Sequence, residues 1–290
     1  MTVPDELALV RRIAAACTAA GEAPPFSDQT LVDVRAGRAI VVNIPGSDGV
    51  AVVRNGELEL AVAPEARGRG LGTALVERAV APASAPDGGA VMPTLAWAHG
   101  DAPAARALAD RYGWSVTRTL LQLRAPIPTD GARMSTDGAP MSAPGLRLDA
   151  FRAGVDETAW LDLNAAAFAH HPEQGSMTLE DLRDRESDAW FDPEDLLLLR
   201  PVEGTDAGLA GSCWLKVEDH IGEFYAVAVH PSRQGQGLGG LLMRAGMARL
   251  AGRGLRAAAL YVEGDNAPAL ALYRRAGFTD HAVDVQYTAG

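Results

Sequence analysis

Tyr225-Ala226-Val227-Ala228-Val229-His230-Pro231-Ser232-Arg233-Gln234-Gly235-Gln236-Gly237-Leu238-Gly239-Gly240 is the stretch on which the fold turns. An apolar run ends at a proline, and a helix is predicted to start after the glycines. Glycines there let the backbone approach a ligand closely, and successive N–H groups at a helix start can hold a pyrophosphate without a lysine. The segment therefore predicts an anion site. Two better-known nucleotide motifs do not fit. A P-loop needs a Gly-Lys-Ser/Thr ending, and a Rossmann fingerprint belongs at the first strand of a βαβ unit.

The pattern occurs twice. LELAVAPEARGRGLGTALVERAV, from Leu58, aligns with YAVAVHPSRQGQGLGGLLMRAGM, from Tyr225, so that Pro64, Gly70 and Gly72 match Pro231, Gly237 and Gly239 at an offset of 167. Gly100, Ala102 and Pro103 match Asp265, Ala267 and Pro268 at 165, and Gly113-Trp114 matches Gly277-Phe278 at 164. A constant order with so small a drift indicates two fused copies of one domain. Each copy reads as an opening helix (Pro4 to Ala20; Asp156 to Ala169) and several β-rich stretches. A strand (Leu58 to Val62; Glu223 to Val229), the glycine loop and its helix come next. A further strand (Thr94 to Ala98; Ala257 to Val262) and a short helix close the pattern. That order predicts an α/β fold, a mixed α+β sheet layered with helices, in each copy.

The 290 residues are about twice a common domain size, which agrees with two copies. Residues 125–145, APIPTDGARMSTDGAPMSAPG, read as a linker between a first domain, 1–124, and a second, 146–290. With 48% hydrophobic and 22% charged residues the chain is globular in composition, and its net charge of −11 argues against nucleic acid as a partner. No apolar run is long enough to cross a bilayer, and Asp5, Glu6, Arg11 and Arg12 interrupt the start, so a cytoplasmic protein without a membrane partner is expected, and a monomer. Cys17 and Cys213 lack any ligand spacing, and His170-His171 point about 100° apart on a helix, so no metal is expected. Cys213 reads as a buried small side chain rather than an acetyl carrier. Lys216 is the only lysine beside 25 arginines, which suggests a GC-rich bacterial genome.

Strand, proline, Arg/Gln-x-x-Gly-x-Gly and helix, followed by Asn266-Ala267-Pro268-Ala269-Leu270-Ala271-Leu272-Tyr273 and Gly277-Phe278, resemble the GNAT acetyltransferases. The resemblance implies acetyl-CoA as co-substrate. In the second copy it implies binding by Val227, Ala228 and Val229, by Gln234, Gly235, Gln236, Gly237, Leu238, Gly239 and Gly240, and by Asn266, Ala267, Pro268, Ala269, Leu270 and Ala271. In the first copy it implies Leu60, Ala61 and Val62, then Arg67, Gly68, Arg69, Gly70, Leu71, Gly72 and Thr73. The tandem order, with FAHHPEQG from Phe168, WLKVED from Trp214 and WAHGDAPAARALADRYGW from Trp97, looks like the mycothiol synthase family of actinobacteria. There acetyl-CoA acetylates the cysteinyl amine of cysteinyl-glucosaminyl-inositol, a small-molecule amine.

Such a transfer needs a neutral amine, a held oxyanion and a proton for the departing thiolate. An α-amino group of pKa near 7.7 to 8 is roughly a tenth neutral at pH 7, so one carboxylate acting through water suffices. The resemblance implies Glu223 as that base and Tyr273 as the general acid. It further implies Asp28, Glu173, Lys216, Glu223 and Tyr261 as acceptor contacts. Asp28 also reads as the N-cap of a helix starting near Gln29. At an offset of 165 the first copy has Leu108 opposite Tyr273 and Asp101 opposite Asn266, so chemistry is expected in the second copy only. A tandem enzyme acting on another amine, such as an aminoglycoside or a protein N-terminus, shares these motifs. So does a CoA-binding sensor without catalysis.

Overall fold

The computed structural model describes residues 2–81, 93–128, 143–169, 172–202, 208–218 and 220–289. The first part of the chain forms α1 (Val3–Ala19), α2 (Asp28–Arg35), β1 (Ile40–Asn43), β2 (Gly49–Arg54), β3 (Glu57–Val62), α3 (Leu71–Val80), β4 (Leu95–His99), α4 (Pro103–Tyr112) and β5 (Ser115–Pro126). The remainder forms β6 (Leu146–Ala150), α5 (Glu157–Ala167), α6 (Pro172–Gly175), α7 (Leu179–Glu186), β7 (Leu196–Pro201), β8 (Gly211–Glu218), β9 (Ile221–Val229), α8 (Leu238–Gly252), β10 (Ala257–Glu263), α9 (Ala267–Arg275) and β11 (Thr279–Thr288). The opening helices, the strands before the glycine loops and the helices after them all fall where the sequence predicts them.

Two compact units result, and they do not divide at the linker. One comprises Met1–Leu121, Glu263–Asp265 and Ala282–Gly290; the other comprises Gln122–Val262 and Asn266–His281. The end of the chain therefore belongs to the first unit, where Asp284 to Thr288 pair antiparallel with His99 to Leu95. Conversely, residues 122–126 of β5 belong to the second unit, and Ile127 N–H donates to the Arg256 carbonyl there. This corrects the boundary at 124. Composition marks where a chain is irregular, whereas pairing of a strand depends on partners far away in sequence. Ala125 and Pro126, read as the start of the linker, are the end of a strand, and residues 129–142 lie outside the described residues.

In the first unit the strand order is β1-β2-β3-β4-β11, antiparallel except that β4 runs parallel to β3. Val50 to Val53 of β2 are all buried because helices cover both faces. Val10, Ile13 and Cys17 of α1 pack with Val50, Val52 and Ala61 on one side. Leu75, Val76 and Ala79 of α3 pack with Ala51, Val53 and Leu58 on the other. Each fully buried valine, leucine or isoleucine among them stabilises the unit by about 1.5–3 kcal/mol relative to exposure. Thr2 and Asp5 close a reciprocal capping box at the start of α1.

The second unit repeats this plan in the order β10-β9-β8-β7-β6, with β10 parallel to β9. Trp160 and Leu163 of α5, Leu182 of α7 and Trp214 of β8 form the core on one face. On the other face α8 presses closely on the sheet. Cβ atoms built at Gly222 and Gly246 would meet Leu250 Cδ2 and Phe224 Cε1 at 2.4 and 2.5 Å, so only glycine allows that spacing. Among the described residues no helix is long and apolar enough to cross a membrane, and no group of three or more His, Cys, Asp or Glu side chains could hold a metal ion. His170 and His171 lie outside the described residues.

Candidate acyl-transfer site

In each unit the parallel strands pair briefly and then separate. β9 and β10 are in register only from Ile221 to Glu223, opposite Ala257 to Ala259, while β9 continues to Val229. β3 and β4 pair only at Glu57 and Leu58, opposite Leu95 and Ala96, while β3 continues to Val62. Beyond the paired residues one edge of β9 or β3 has backbone donors and acceptors turned toward a gap. At Tyr225 the register with β8 slips by one residue: Trp214 opposes Ala226 and Leu215 opposes Phe224. Such a bulge bends the strand away from its neighbour.

Both strands then enter a short 3-10 turn, Pro64–Ala66 or Pro231–Arg233, and a loop with two left-handed glycines. Gly70 (φ 78°) and Gly237 (φ 76°) are the N-caps of α3 and α8, and neither helix start has a side-chain cap. A residue with a Cβ would be strained at that φ. First-turn N–H groups without a capping side chain, at the positive end of a helix dipole, suit a phosphate. The residues present thus fit the diphosphate of acetyl-CoA at both loops.

Helix packing behind the loops establishes the correspondence between the copies. A Cβ at Gly72 would meet Leu108 Cδ1 at 3.2 Å, and one at Gly239 would meet Leu272 Cδ2 at 3.1 Å. Leu108 therefore corresponds to Leu272, and Tyr273 corresponds to Ala109, one residue later than the sequence offset indicates. Likewise the N-cap of α4 is Ala102, so Ala102 and not Asp101 stands opposite Asn266. Aligning the prolines misleads here, because Pro103 is the first residue of its helix and Pro268 the second. Asn266 Oδ1 accepts from Ala269 N–H at 3.1 Å, which accounts for an asparagine at that position.

Tyr273 is half-buried and packs against Phe278, which in turn packs edge-on to Phe224. Burial, and secondarily its neighbour Cys213, pushes the phenol up to about 12, so it stays protonated at neutral pH. Cys213 is wholly buried, and burial raises its thiol further from ionisation, which fits a packing role. Gly222 and Phe224 face α8, so the intervening Glu223 points to the opposite face. Glu223 and Tyr273 thus approach from opposite faces of the sheet, and the opening between β9 and β10 begins at Glu223.

Glu223 is half-buried and directly opposite Lys216 on β8. Lys216 Nζ lies 2.7 Å from Glu218 Oε2 and 5.4 Å from the Trp190 ring centroid. Tyr261, two residues beyond the position opposite Glu223, shares that face and accepts from Gln122 Nε2 at 2.7 Å. Three of the expected acceptor contacts, Lys216, Glu223 and Tyr261, therefore gather on one side of the second unit. Asp28 is the first residue of α2 and belongs to the first unit; Ser27 is the N-cap, its hydroxyl accepting from Thr30 N–H, in place of the cap the sequence proposed at Asp28. The side chains of Asp28 and Glu173 lie outside the described residues.

The first unit encloses a cavity of about 810 Å³ lined by Leu60, Ala61, Val62, Arg67, Gly68, Gly70, Leu71, Gly72 and Thr73, together with Trp97, His99, Leu108 and Ala109. Arg67, which the resemblance implies as an acetyl-CoA contact, has partners of its own. It pairs with Glu22, donates through Nε to the Val62 carbonyl at 2.9 Å, and sits 3.6 Å from Cys17 Sγ. Among the residues that sequence reasoning missed are Trp190, Tyr225 and the end of α7, which line a smaller cavity beside Lys216. Nothing in the charged pattern of α7 distinguishes it from a solvated helix face.

The model of the acetyltransferase (GNAT) family matches residues 35–114 and 158–278. The mycothiol acetyltransferase of Clavibacter sepedonicus is 46% identical over 293 residues, covering 98% of this chain and 92% of its own. That of Kocuria rhizophila is 44% identical over 303 residues, covering 98% and 95%. Among solved structures, a GCN5-related N-acetyltransferase from Sphaerobacter thermophilus superposes with a TM-score of 0.68 at 24% identity, over 99% of this chain and 93% of its own. A tandem GNAT protein from the clavulanic acid biosynthesis pathway gives 0.65 at 19%, over 100% and 95%, a likeness of fold. Two copies of the split parallel strands and their glycine loops, with this level of identity along the whole length, place the chain in the GNAT acetyltransferase family, among the mycothiol acetyltransferases.

Proposed function

We propose that the chain moves the acetyl group of acetyl-CoA to the cysteinyl amine of cysteinyl-glucosaminyl-inositol, with the chemistry in the second unit. The observation that carries this reading is the placement of Glu223 where β9 and β10 part, with a protonated, half-buried Tyr273 on the other face. The name carried by the relatives, mycothiol acetyltransferase, supports the choice of amine.

Acetyl-CoA supplies an acyl group activated as a thioester. Backbone N–H groups at the start of α8 bind its diphosphate, and the free edge of β9 around Val227 aligns its arm. Glu223 takes the proton that the amine gives up on forming the new C–N bond, directly or through water. N–H groups on the same edge donate to the acyl oxygen as charge develops there. Tyr273 gives its proton to the departing sulfur as the C–S bond breaks, and solvent restores it. Because its phenol does not ionise near neutral pH, the proton is present in every turnover.

The first unit keeps a cavity and an uncapped helix start of the right kind, but Ala109 stands where the proton donor would be. This supports a unit that holds acetyl-CoA without transferring from it. Offering acetyl-CoA with cysteinyl-glucosaminyl-inositol beside an aminoglycoside, and weighing the products by mass spectrometry, tests the proposal. Acetylation at the cysteinyl nitrogen with stoichiometric free thiol is expected; acetylation of the aminoglycoside alone overturns it.

A further inference from the structure

Around Tyr273 the second unit packs aromatic rings together: Tyr273 lies 6.3 Å from Phe278, and Phe278 lies 5.7 Å from Phe224. The first unit differs at this place. Ala109 corresponds to Tyr273, and Trp114 stands opposite Phe278 in the repeat. Leu58 faces α3, packing with Leu75, Val76 and Ala79, as Phe224 faces α8 at Gly246. Two of the rings are thus replaced by smaller apolar side chains, and Leu58, Ala109 and Trp114 all line the cavity of about 810 Å³.

We propose that the first unit holds a coenzyme A ester with an acyl chain longer than acetyl, of about four to six carbons, lodged between α3 and α4. The inference rests on the reading of the first unit as a holder of a CoA ester, and it names the class of ester.

The cavity extends from the glycine loop, where Gly68 and Gly70 line it, to the place where β3 and β4 part, where Leu58 and Ala96 line it. A diphosphate at the loop therefore directs the arm along β3 toward that parting. Ala96 packs in the same cluster as Ala109 there. Beyond it the cavity continues to Val76 on α3 and to Tyr112 at the end of α4. The Tyr112 hydroxyl is already bonded, donating to the Thr73 carbonyl at 3.3 Å.

Size sets the length of the chain. Ala109 lacks the phenol ring of Tyr273, and at the packing density of protein interiors that difference gives room for about two to four methylene groups beyond acetyl. Each methylene moved from water into apolar surroundings strengthens binding about fourfold. In the second unit the rings of Phe224, Tyr273 and Phe278 fill the equivalent space, which limits that unit to a short acyl group.

Calorimetric titration of the full chain with acetyl-CoA, butyryl-CoA and hexanoyl-CoA, in the absence of any amine, is the test. Two sites are expected, one of which binds butyryl-CoA about tenfold or more tighter than acetyl-CoA, while the other gains nothing from the longer chain. Ala109→Tyr should abolish that gain and leave acetyl-CoA at the same site within about threefold of the parent. Ala109→Val adds only methyl groups, is the milder change in packing, and should reduce the gain in part. The parent's preference among the three esters and the Ala109→Val series decide the matter if Ala109→Tyr does not fold. Two sites with no preference for a longer chain, or a preference that survives Ala109→Tyr, overturn this inference and leave the first unit a holder of acetyl-CoA. A single site for every ester overturns it together with the reading of the first unit on which it rests.

Discussion

His99 Nδ1 lies 3.2 Å from Asp284 Oδ2, so a strand beside the first cavity is joined by charge to the last strand of the chain. Its other nitrogen faces Glu59 Oε1 at 3.5 Å, a charge contact without hydrogen-bond geometry. Burial disfavours the imidazolium, but Asp284 and then Glu59 outweigh it, raising the pKa to about 9 from 6.5. The folded ring holds its proton to higher pH than the unfolded one. The resulting stability is therefore complete below about pH 6.5 and is lost as pH rises through about 9. Chemical denaturation of the parent and of His99→Gln across that range checks this. The variant should be the less stable at pH 6 and should approach the parent by pH 9.5.

Tyr273→Phe removes the proton for the departing thiolate while leaving the aromatic contact with Phe278. Turnover should fall tenfold or more with KM for acetyl-CoA within about threefold, as general-acid contributions of about 10² to 10⁴ allow. Steady-state release of free thiol measures both constants, and unchanged turnover removes the general-acid role.

Glu223→Gln should lower turnover by about 10²-fold near pH 7. The residual rate then depends on the neutral fraction of an amine with pKa near 8, so it should climb through pH 8 and level off above it. A variant whose pH profile matches that of the parent would exclude Glu223 as the base.

Gly237→Ala adds a Cβ with nothing within 4 Å, so its effect is on the backbone alone: φ of +76° becomes strained by about 1–2 kcal/mol. Relaxation of the loop turns the N–H groups of α8 off their target. Affinity of the second unit for acetyl-CoA should drop about tenfold in a calorimetric titration, with the fold retained by circular dichroism.

Gly246→Ala tests how closely α8 is packed. Its Cβ would approach Phe224 Cε1 at 2.5 Å and Cys213 Sγ at 3.0 Å. Neither Phe224 nor Cys213 can withdraw, because both are buried. Overpacking of this kind costs about 1–3 kcal/mol, visible as a lowered midpoint in urea.

What could be read from residues alone was local or repeated. Proline after an apolar run, glycines before a helix and a constant offset between copies are short-range signals, and they located both glycine loops, the strands before them and the helices after them. The resemblance then pointed to Glu223 as the base and Tyr273 as the general acid. Tertiary structure decided whatever depends on partners distant in sequence. It alone assigned residues 282–290 to the first unit and 122–126 to the second, because a strand's neighbours are chosen by long-range hydrogen bonding and not by composition. It also matched Ala109 rather than Leu108 to Tyr273, since the helix turn facing Gly72 and Gly239 sets that correspondence. Arg67 was bound to Glu22 and Cys17 by the approach of α1, and the end of α7 was brought beside Lys216 in the same way. A guanidinium or a carboxylate carries no local mark of the partner that folding will bring to it.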